Sequence, residues 1–307
     1  MKLKFDVQGR TQPDPFIFED DGKFYLYVTA HDGVEAYEAD SPLGLWHFRG
    51  IVASFEGKTD YWAPSVTKID GKYYIYVSCS WPGAFEHMHV AQADSPLGPF
   101  SKEKELYDRF SIDSHVVETE KGIFLWYAED NLNAENGKVG TRVYIDRLID
   151  PYTPAHEPKE VIIPEFGEEK FTPQCTPERD WYTIEGAFWF EEGGWQYVMY
   201  SGGCYRDDTY HIGYAAAKTD EKDLTQVDFV KHTEDGRFSP VLIKNEFEEG
   251  TGHHSVLKWN GEYYAVYHGR DWKEKTTPGY EEARTARICR LHVKDGMITA
   301  ERYEDHI

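Results

Sequence analysis

The chain has 307 residues, of which 33 are Lys or Arg and 55 are Asp or Glu, so its formal net charge at pH 7 is -22. A surface of that charge repels nucleic acid and anionic membranes, which excludes both as expected partners. The sequence contains no apolar run of the roughly 18 residues that a membrane span needs. The N-terminus lacks the apolar segment of a secretory signal, which predicts a cytoplasmic protein.

The cysteines indicate neither a zinc site nor a disulfide framework. They are scattered through the sequence, with no C-x-x-C pair: Cys79, Cys175, Cys204 and Cys289. In a cytoplasmic protein these side chains are expected to be reduced thiols.

One pattern recurs five times along the chain: a short polar segment, an apolar strand, a Gly turn and an aromatic strand. The copies are QPDPFIFEDDGKFYLYVTA from Gln12, WAPSVTKIDGKYYIYVSCS from Trp62, SIDSHVVETEKGIFLWYAE from Ser111, TIEGAFWFEEGGWQYVMYSGG from Thr183 and GHHSVLKWNGEYYAVYHGR from Gly252. The positions interpreted as equivalent are Asp14, Ala63, Asp113, Glu185 and His253. Their separations of roughly 49, 50, 72 and 68 residues are typical of propeller or array repeats.

Each copy predicts a β-hairpin, because Asp-Gly, Asn-Gly or a similar pair separates two alternating strands. A third strand follows in most copies. Two of these run into the related phrases ADSPLGLW from Ala39 and ADSPLGPF from Ala93, whose last residue begins a fourth strand. The prediction is an all-β fold, a five-bladed β-propeller with four antiparallel strands per blade, forming a single catalytic domain over residues 1–307. A β-sandwich, the alternative, does not explain five copies of one pattern.

Three acidic residues at the start of these copies indicate an active site. The first strand of each propeller blade lines the central channel, so Asp14, Asp113 and Glu185 are expected to meet in one pocket. Like charges raise each other's proton affinity, so one of these acids should stay protonated beside an ionised one. Cleavage of a glycosidic bond uses such a pair. Taken singly, each acid would equally fit a turn or a strand end.

The ordered phrases QPDPFIF, WAPSV, SIDSHV, TIEGAFWF, SGG, TGHHSV and YHGR resemble glycoside hydrolase family 43 over nearly the whole chain. The resemblance implies that Asp14 is the general base and Glu185 the general acid, while Asp113 orients the acid and raises its pKa. It also implies inversion at the anomeric carbon, with the two carboxyl groups roughly 6.5 to 9.5 Å apart. Ser65 departs from the family pattern, which often has an acidic residue there; this affects subsite detail.

The same resemblance suggests further site residues. His253 is expected to reach the channel and to hold a structural calcium ion, although a hydrogen-bonded core histidine is the alternative. The chemistry itself is expected to need no cofactor. Arg287 would contact substrate, unless it forms a surface salt bridge instead. Trp62 would offer an aromatic face to a sugar at the rim, and His31 is a weaker substrate-binding candidate.

The expected function is that of an exo-acting α-L-arabinofuranosidase on short plant-cell-wall arabino-oligosaccharides, with a small oligosaccharide as the partner and the oligomeric state left open. The chain ends soon after the fifth copy, without the added β-sandwich common in related β-xylosidases. A β-xylosidase and an endo-arabinanase are the alternatives within the family. A non-catalytic sugar-binding propeller and a phosphorolytic propeller are the alternatives outside it.

Overall fold

The computed structural model describes residues 1–171 and 180–303, and strands account for most of its regular structure. Strand β1 is Lys4–Phe5. The first blade contains β2 (Phe16–Asp20), β3 (Lys23–Val28), β4 (Val34–Ala39) and β5 (Leu45–Ala53). The second contains β6 (Thr59–Ile69), β7 (Lys72–Ser80), β8 (His87–Ala93) and β9 (Ser101–Glu105). The third contains β10 (Ile112–Thr119), β11 (Gly122–Asn131), β12 (Gly140–Asp150), β13 (Thr153–Pro154) and β14 (Lys159–Ile162).

The remaining strands complete the last two blades. After β15 (Lys170–Phe171), the fourth blade contains β16 (Trp181–Glu192), β17 (Trp195–Gly202), β18 (His211–Lys218) and β19 (Val230–Lys231). A small hairpin follows, formed by β20 (Thr233–Glu234) and β21 (Arg237–Phe238). The fifth blade contains β22 (Glu248–Trp259), β23 (Glu262–Asp271), β24 (Thr285–Lys294) and β25 (Met297–Glu301). The helical segments are short 3-10 turns at Gly167–Glu169, Leu224–Gln226, Trp272–Glu274 and Tyr280–Glu282. Within the described part of the chain, no helix has the length and apolar character that crossing a membrane requires.

Consecutive strands of each blade pair antiparallel, which confirms the predicted all-β propeller. The outer position of the third blade is divided, since β13 and β14 both pair with β12. The third and fourth blades are joined by a short parallel pairing of β12 with β16. The innermost strands β2, β6, β10, β16 and β22 each contact the next one, and β22 contacts β2, so the five blades close into a ring.

Apolar side chains pack between adjacent blades and hold the ring together. Five clusters of buried residues each join one blade to the next, and each contains aromatic side chains from the second strands of the blades. Cys79 and Cys289 are buried free thiols, Cys204 is buried, and Cys175 lies outside the described residues.

The innermost strand of each blade bends at one equivalent position, where the backbone takes a positive φ. The five residues with this conformation are Asp14 (52°), Ala63 (44°), Asp113 (63°), Gly186 (61°) and His253 (43°). The prediction that Glu185 occupies the equivalent position is therefore wrong by one residue. Gly186 takes the left-handed conformation, which glycine adopts without strain, and Glu185 precedes it.

The N-terminal segment closes the ring between the fifth and first blades. The backbone N–H of Leu3 donates to Ala286 O at 2.9 Å, and β1 pairs in parallel with β5. The Leu3 side chain is buried in the apolar cluster that joins these two blades.

We expect Leu3→Ala to lower the free energy of unfolding by about 2–4 kcal/mol, because it leaves a cavity at the closing interface. Leu45→Ala is the control, since Leu45 is 48% exposed, and should change stability by less than about 0.5 kcal/mol. Denaturant unfolding of both variants measures the difference. Equal effects would contradict a role of the N-terminal segment in closing the ring.

Candidate active site

A cavity of about 290 Å³ opens where the innermost strands begin. It is lined by Asp14, Thr29, Trp62, Ile112, Asp113, Glu185, Tyr205, Arg206, Tyr210, His253, Glu282 and Arg284. The structure thus brings together the three predicted acids with Trp62 and His253, which come from all five blades. The volume is near the lower end of the range of small-ligand sites, roughly 300–1,000 Å³.

Asp14 is held as an ionised carboxylate. Thr29 Oγ1 donates to its Oδ2 at 2.6 Å, and Arg284 Nη1 lies 3.4 Å from its Oδ1. Burial alone would raise the pKa of Asp14, but the Arg284 charge, the largest opposing cause, lowers this pKa below its usual range. Burial also lowers the pKa values of the neighbouring His253 and His268, so they are neutral near pH 7. Among the residues that line the cavity and contact Asp14, Arg284 is therefore the permanent cation.

His268 packs beneath Asp14 as a neutral imidazole. The backbone N–H of Asp14 donates to His268 Nδ1 at 3.1 Å, which assigns the ring proton to Nε2. The 3.2 Å contact between His268 Nδ1 and Asp14 Oδ1 is then a contact of two acceptors. Arg284, rather than His268, is thus the group that keeps Asp14 ionised.

Asp113 and Glu185 are both held towards their protonated forms. Burial, with the charges of Glu185 and Asp14, raises the pKa of Asp113 well above its usual value, although the N–H of Gly186 donates to its Oδ2 at 3.0 Å. Burial raises the pKa of Glu185 to about 7; the Asp14 charge also raises it, against a hydrogen bond from Tyr210 and the Arg284 charge. One cavity therefore holds an ionised and a protonated carboxyl group, which is how acid and base roles are separated at neutral pH.

The residues around His253 are a poor fit for calcium. Asp113, Glu185 and His253 offer ligand atoms within 4.8 Å of one another, but they supply only two carboxylates and one nitrogen. Calcium prefers six to eight oxygen ligands. An enclosed cavity of about 10 Å³ on the axis beside His253 has room for about one water molecule. The metal role of His253 stays a prediction.

Two predicted substrate-binding residues do not line the cavity. The His31 side chain is 66% exposed, and its Nδ1 hydrogen-bonds Asp60 Oδ1 at 2.8 Å. Arg287 is buried in a structural ion-pair network: its Nη1 donates to Glu248 at 3.0 Å and its Nη2 to Asp271.

Two arginines line the cavity, Arg206 and Arg284. The one that contacts Asp14 is Arg284, which precedes β24, whereas Arg287 lies inside that strand. Three residues along a strand correspond to roughly 10 Å. Arg284 therefore lies at the cavity, while Arg287 belongs to the buried ion-pair network.

Several residues that line the cavity or pack beneath it were missed in the sequence analysis. His268 lies in the phrase YHGR and Arg284 three residues before Arg287, so both were close to recognised motifs. Tyr210 lies outside the five copies and reaches Glu185 only through the fold. Thr29 lies near the end of the first copy: its Oγ1 accepts from the Ala63 N–H, as Ser201 Oγ near the end of the fourth copy accepts from the His253 N–H. Trp62 lines the cavity as predicted and is 38% exposed.

A five-bladed propeller with an ionised and a protonated carboxyl group at one end of its channel defines a glycoside hydrolase type of site. The sequence comparison agrees: the model of the family described as "Glycosyl hydrolases family 43" matches residues 6–298. The chain belongs to this family.

Individual relatives are distant. The chain is 25% identical to "Alpha-L-arabinofuranosidase B" of Pyricularia oryzae over 92% of its length, but it spans only 60% of that protein. It is 26% identical to "Xylosidase/arabinosidase 43A" of Humicola insolens, covering 94% of this chain and 89% of the relative. The crystal structure of a thermostable family-43 glycoside hydrolase superimposes with a TM-score of 0.79 at 27% identity, covering 97% of this chain and 96% of the other.

The raised pKa of Glu185 predicts a pH-dependent gain in stability on Glu185→Gln. Burial raises the pKa of Glu185 from its ordinary value of 4.5 to about 7, so the folded protein binds this proton more tightly than the unfolded chain does. The contribution of Glu185 to the free energy of unfolding therefore falls as pH rises through this range. The neutral amide removes that loss. The free energy of unfolding of Glu185→Gln should therefore exceed that of wild type by about 1–2 kcal/mol at pH 8. The full pKa shift would give a larger figure, which is reduced because the half-buried side chain faces the cavity and solvent screens its charge.

Urea unfolding at two pH values measures this gain, which should vanish near pH 4. The conservative variant keeps an oxygen that accepts the Tyr210 hydrogen bond. A stability difference that is the same at both pH values would contradict a raised pKa.

Proposed function

We propose that the protein is an inverting exo-glycoside hydrolase that releases terminal pentose from plant-cell-wall oligosaccharides, and specifically an α-L-arabinofuranosidase on arabino-oligosaccharides. The observation that carries the proposal is that one cavity holds Asp14 beside the Arg284 cation together with Glu185, whose pKa burial raises to about 7. The names of the relatives, an arabinofuranosidase and a xylosidase/arabinosidase, support a pentose substrate.

The proposed reaction is a single displacement. Glu185 transfers its proton to the glycosidic oxygen as the bond from that oxygen to the anomeric carbon breaks. Asp14 takes a proton from a water molecule, whose oxygen forms the new bond to the anomeric carbon. The products are the free sugar and the alcohol, with Glu185 ionised and Asp14 protonated. Asp14 then releases its proton to solvent and Glu185 takes up a proton from solvent, which restores the starting state.

Other side chains in the cavity support specific parts of this reaction. Arg284 keeps Asp14 ionised and so ready to accept the proton from water. Asp113 is bound to the Gly186 N–H and places its carboxyl group beside Glu185, in agreement with an orienting role. Since Asp113 is itself held protonated, the charge that raises the pKa of Glu185 comes from Asp14.

The shape of the cavity favours exo action on short substrates. Tyr205, Arg206 and Glu282 line its mouth from the loops before β18 and β24, and the cavity volume suits a small ligand. A β-xylosidase is the second candidate, because the Humicola insolens relative carries both names.

The test compares hydrolysis of aryl α-L-arabinofuranoside and aryl β-D-xylopyranoside by wild type, Asp14→Asn and Glu185→Gln. We expect arabinoside cleavage by wild type and a loss of about 10²-fold or more on natural arabino-oligosaccharides in both variants, because each lacks one proton-transfer group. His31→Ala is the control and should retain activity, since His31 lies outside the cavity. Preferred xyloside cleavage would move the proposal to the β-xylosidase. Cleavage of neither substrate, or full activity in the Asp14 variant, would contradict it.

A further inference from the structure

Tyr210 makes a direct contact with the proposed acid. It immediately precedes β18, is 1% exposed, and its hydroxyl donates to Glu185 Oε1 at 2.6 Å. The Tyr210 ring stacks on His268, with 5.6 Å between centroids and 10° between planes. Tyr210 therefore spans the distance between the acid and the imidazole that packs under Asp14.

The position of the Tyr210 ring is fixed from two sides. His268 packs against one face, and the backbone of Gly252 approaches so closely that a Cβ at this position would lie 2.1 Å from two ring carbons. The preceding turn is held by Arg270, whose Nη2 donates to Asp207 O at 2.8 Å. The hydroxyl thus has little freedom to leave Glu185.

This hydrogen bond determines which oxygen of Glu185 can carry the proton. A protonated carboxyl group has one O–H and one carbonyl oxygen. A buried phenol O–H needs an acceptor, and within residues 1–171 and 180–303 the acceptor that Tyr210 contacts is Glu185 Oε1. If Oε1 is occupied as an acceptor, the acidic proton is on Oε2.

We propose that Tyr210 is a positioning residue that directs the proton of Glu185 to Oε2, the oxygen left free to face the glycosidic bond. The inference rests on the function proposed above. In the reaction, the Oε2–H bond breaks as the proton moves to the leaving oxygen. The Tyr210 hydrogen bond to Oε1 then strengthens, because its acceptor has become a carboxylate.

The proposal predicts a dependence on the leaving group. A glycoside with an alkyl or sugar leaving group needs full protonation as its bond breaks, whereas 2,4-dinitrophenolate leaves almost unaided. Without the Tyr210 hydroxyl, the proton is shared between both oxygens of Glu185. Only the cleavage of the substrate with the poor leaving group should slow when the proton is no longer directed to Oε2.

The experiment compares kcat of wild type and Tyr210→Phe on arabino-oligosaccharide and on 2,4-dinitrophenyl α-L-arabinofuranoside. We expect a loss of about tenfold or more on the oligosaccharide, a part of the usual 10²–10⁴-fold contribution of a general acid, with KM nearly unchanged. The dinitrophenyl substrate should lose less than about twofold. The readout is the ratio of two rates measured on one preparation. A decrease in the fraction of folded enzyme lowers both rates equally and leaves this ratio unchanged.

Tyr267→Phe is the matched control. Tyr267 is fully buried and donates to Glu248 Oε1 at 2.8 Å, but it does not line the cavity, so its ratio should equal that of wild type. Gly252→Ala keeps the Tyr210 hydroxyl group in the protein but displaces the ring that carries it away from Glu185, so it should reproduce the Tyr210→Phe pattern.

Two outcomes would overturn the inference. If the ratio of the two rates in Tyr210→Phe equals that of wild type, whether both rates are unchanged or both fall by the same factor, the hydroxyl does not direct the proton. If wild type cleaves neither arabinoside, the proposed function fails and the inference fails with it, so the two failures are distinguishable.

Discussion

The positive charge of Arg284 beside Asp14 is the interaction on which the site depends. Burial pushes all three carboxyl groups towards their protonated forms, and a site with three neutral acids would contain no base. Arg284 Nη1 lies 3.4 Å from Asp14 Oδ1. Of the three carboxyl groups, Asp14 is the one whose pKa falls below its ordinary range, and the Arg284 charge is the largest cause of that fall. The resulting charge on Asp14 then helps to keep Glu185 protonated. One cation therefore separates the proton affinities of two acids.

The propeller delivers these groups to one place because each blade repeats the same bend. Asp14, Asp113 and His253 occupy that bend in their blades and meet on the channel axis. Glu185 differs by one residue, since Gly186 takes the bend in the fourth blade. That offset leaves the Gly186 N–H free to bond Asp113 and places the Glu185 side chain against Tyr210. The departure from fivefold equivalence thus gives Glu185 a partner of its own, the Tyr210 hydroxyl.

Much of this could be predicted from sequence, because hairpin signals and repeat spacing are local. Five strand-turn-strand copies indicate a propeller, and propeller topology alone brings Asp14, Asp113 and Glu185 together. The one-residue offset at Glu185 was missed because it depends on backbone dihedral angles. Arg287 alone was named from the sequence, whereas the arginine that reaches Asp14 is Arg284, just before β24, and only the fold shows which of the two faces the cavity. Tyr210 lies outside the five copies, so its contact with Glu185 is a product of tertiary packing.

The most direct measurement of the central claim is a carbon-13 NMR titration of the side-chain carboxyl groups in wild type and in Arg284→Met. The account predicts that, in wild type at neutral pH, Asp14 is ionised while Glu185 titrates with a pKa of about 7. In Arg284→Met, the pKa of Asp14 should rise. Ionisation of Asp14 and Glu185 over the same pH range, or an unchanged Asp14 in the variant, would contradict the claim that Arg284 separates the acid from the base.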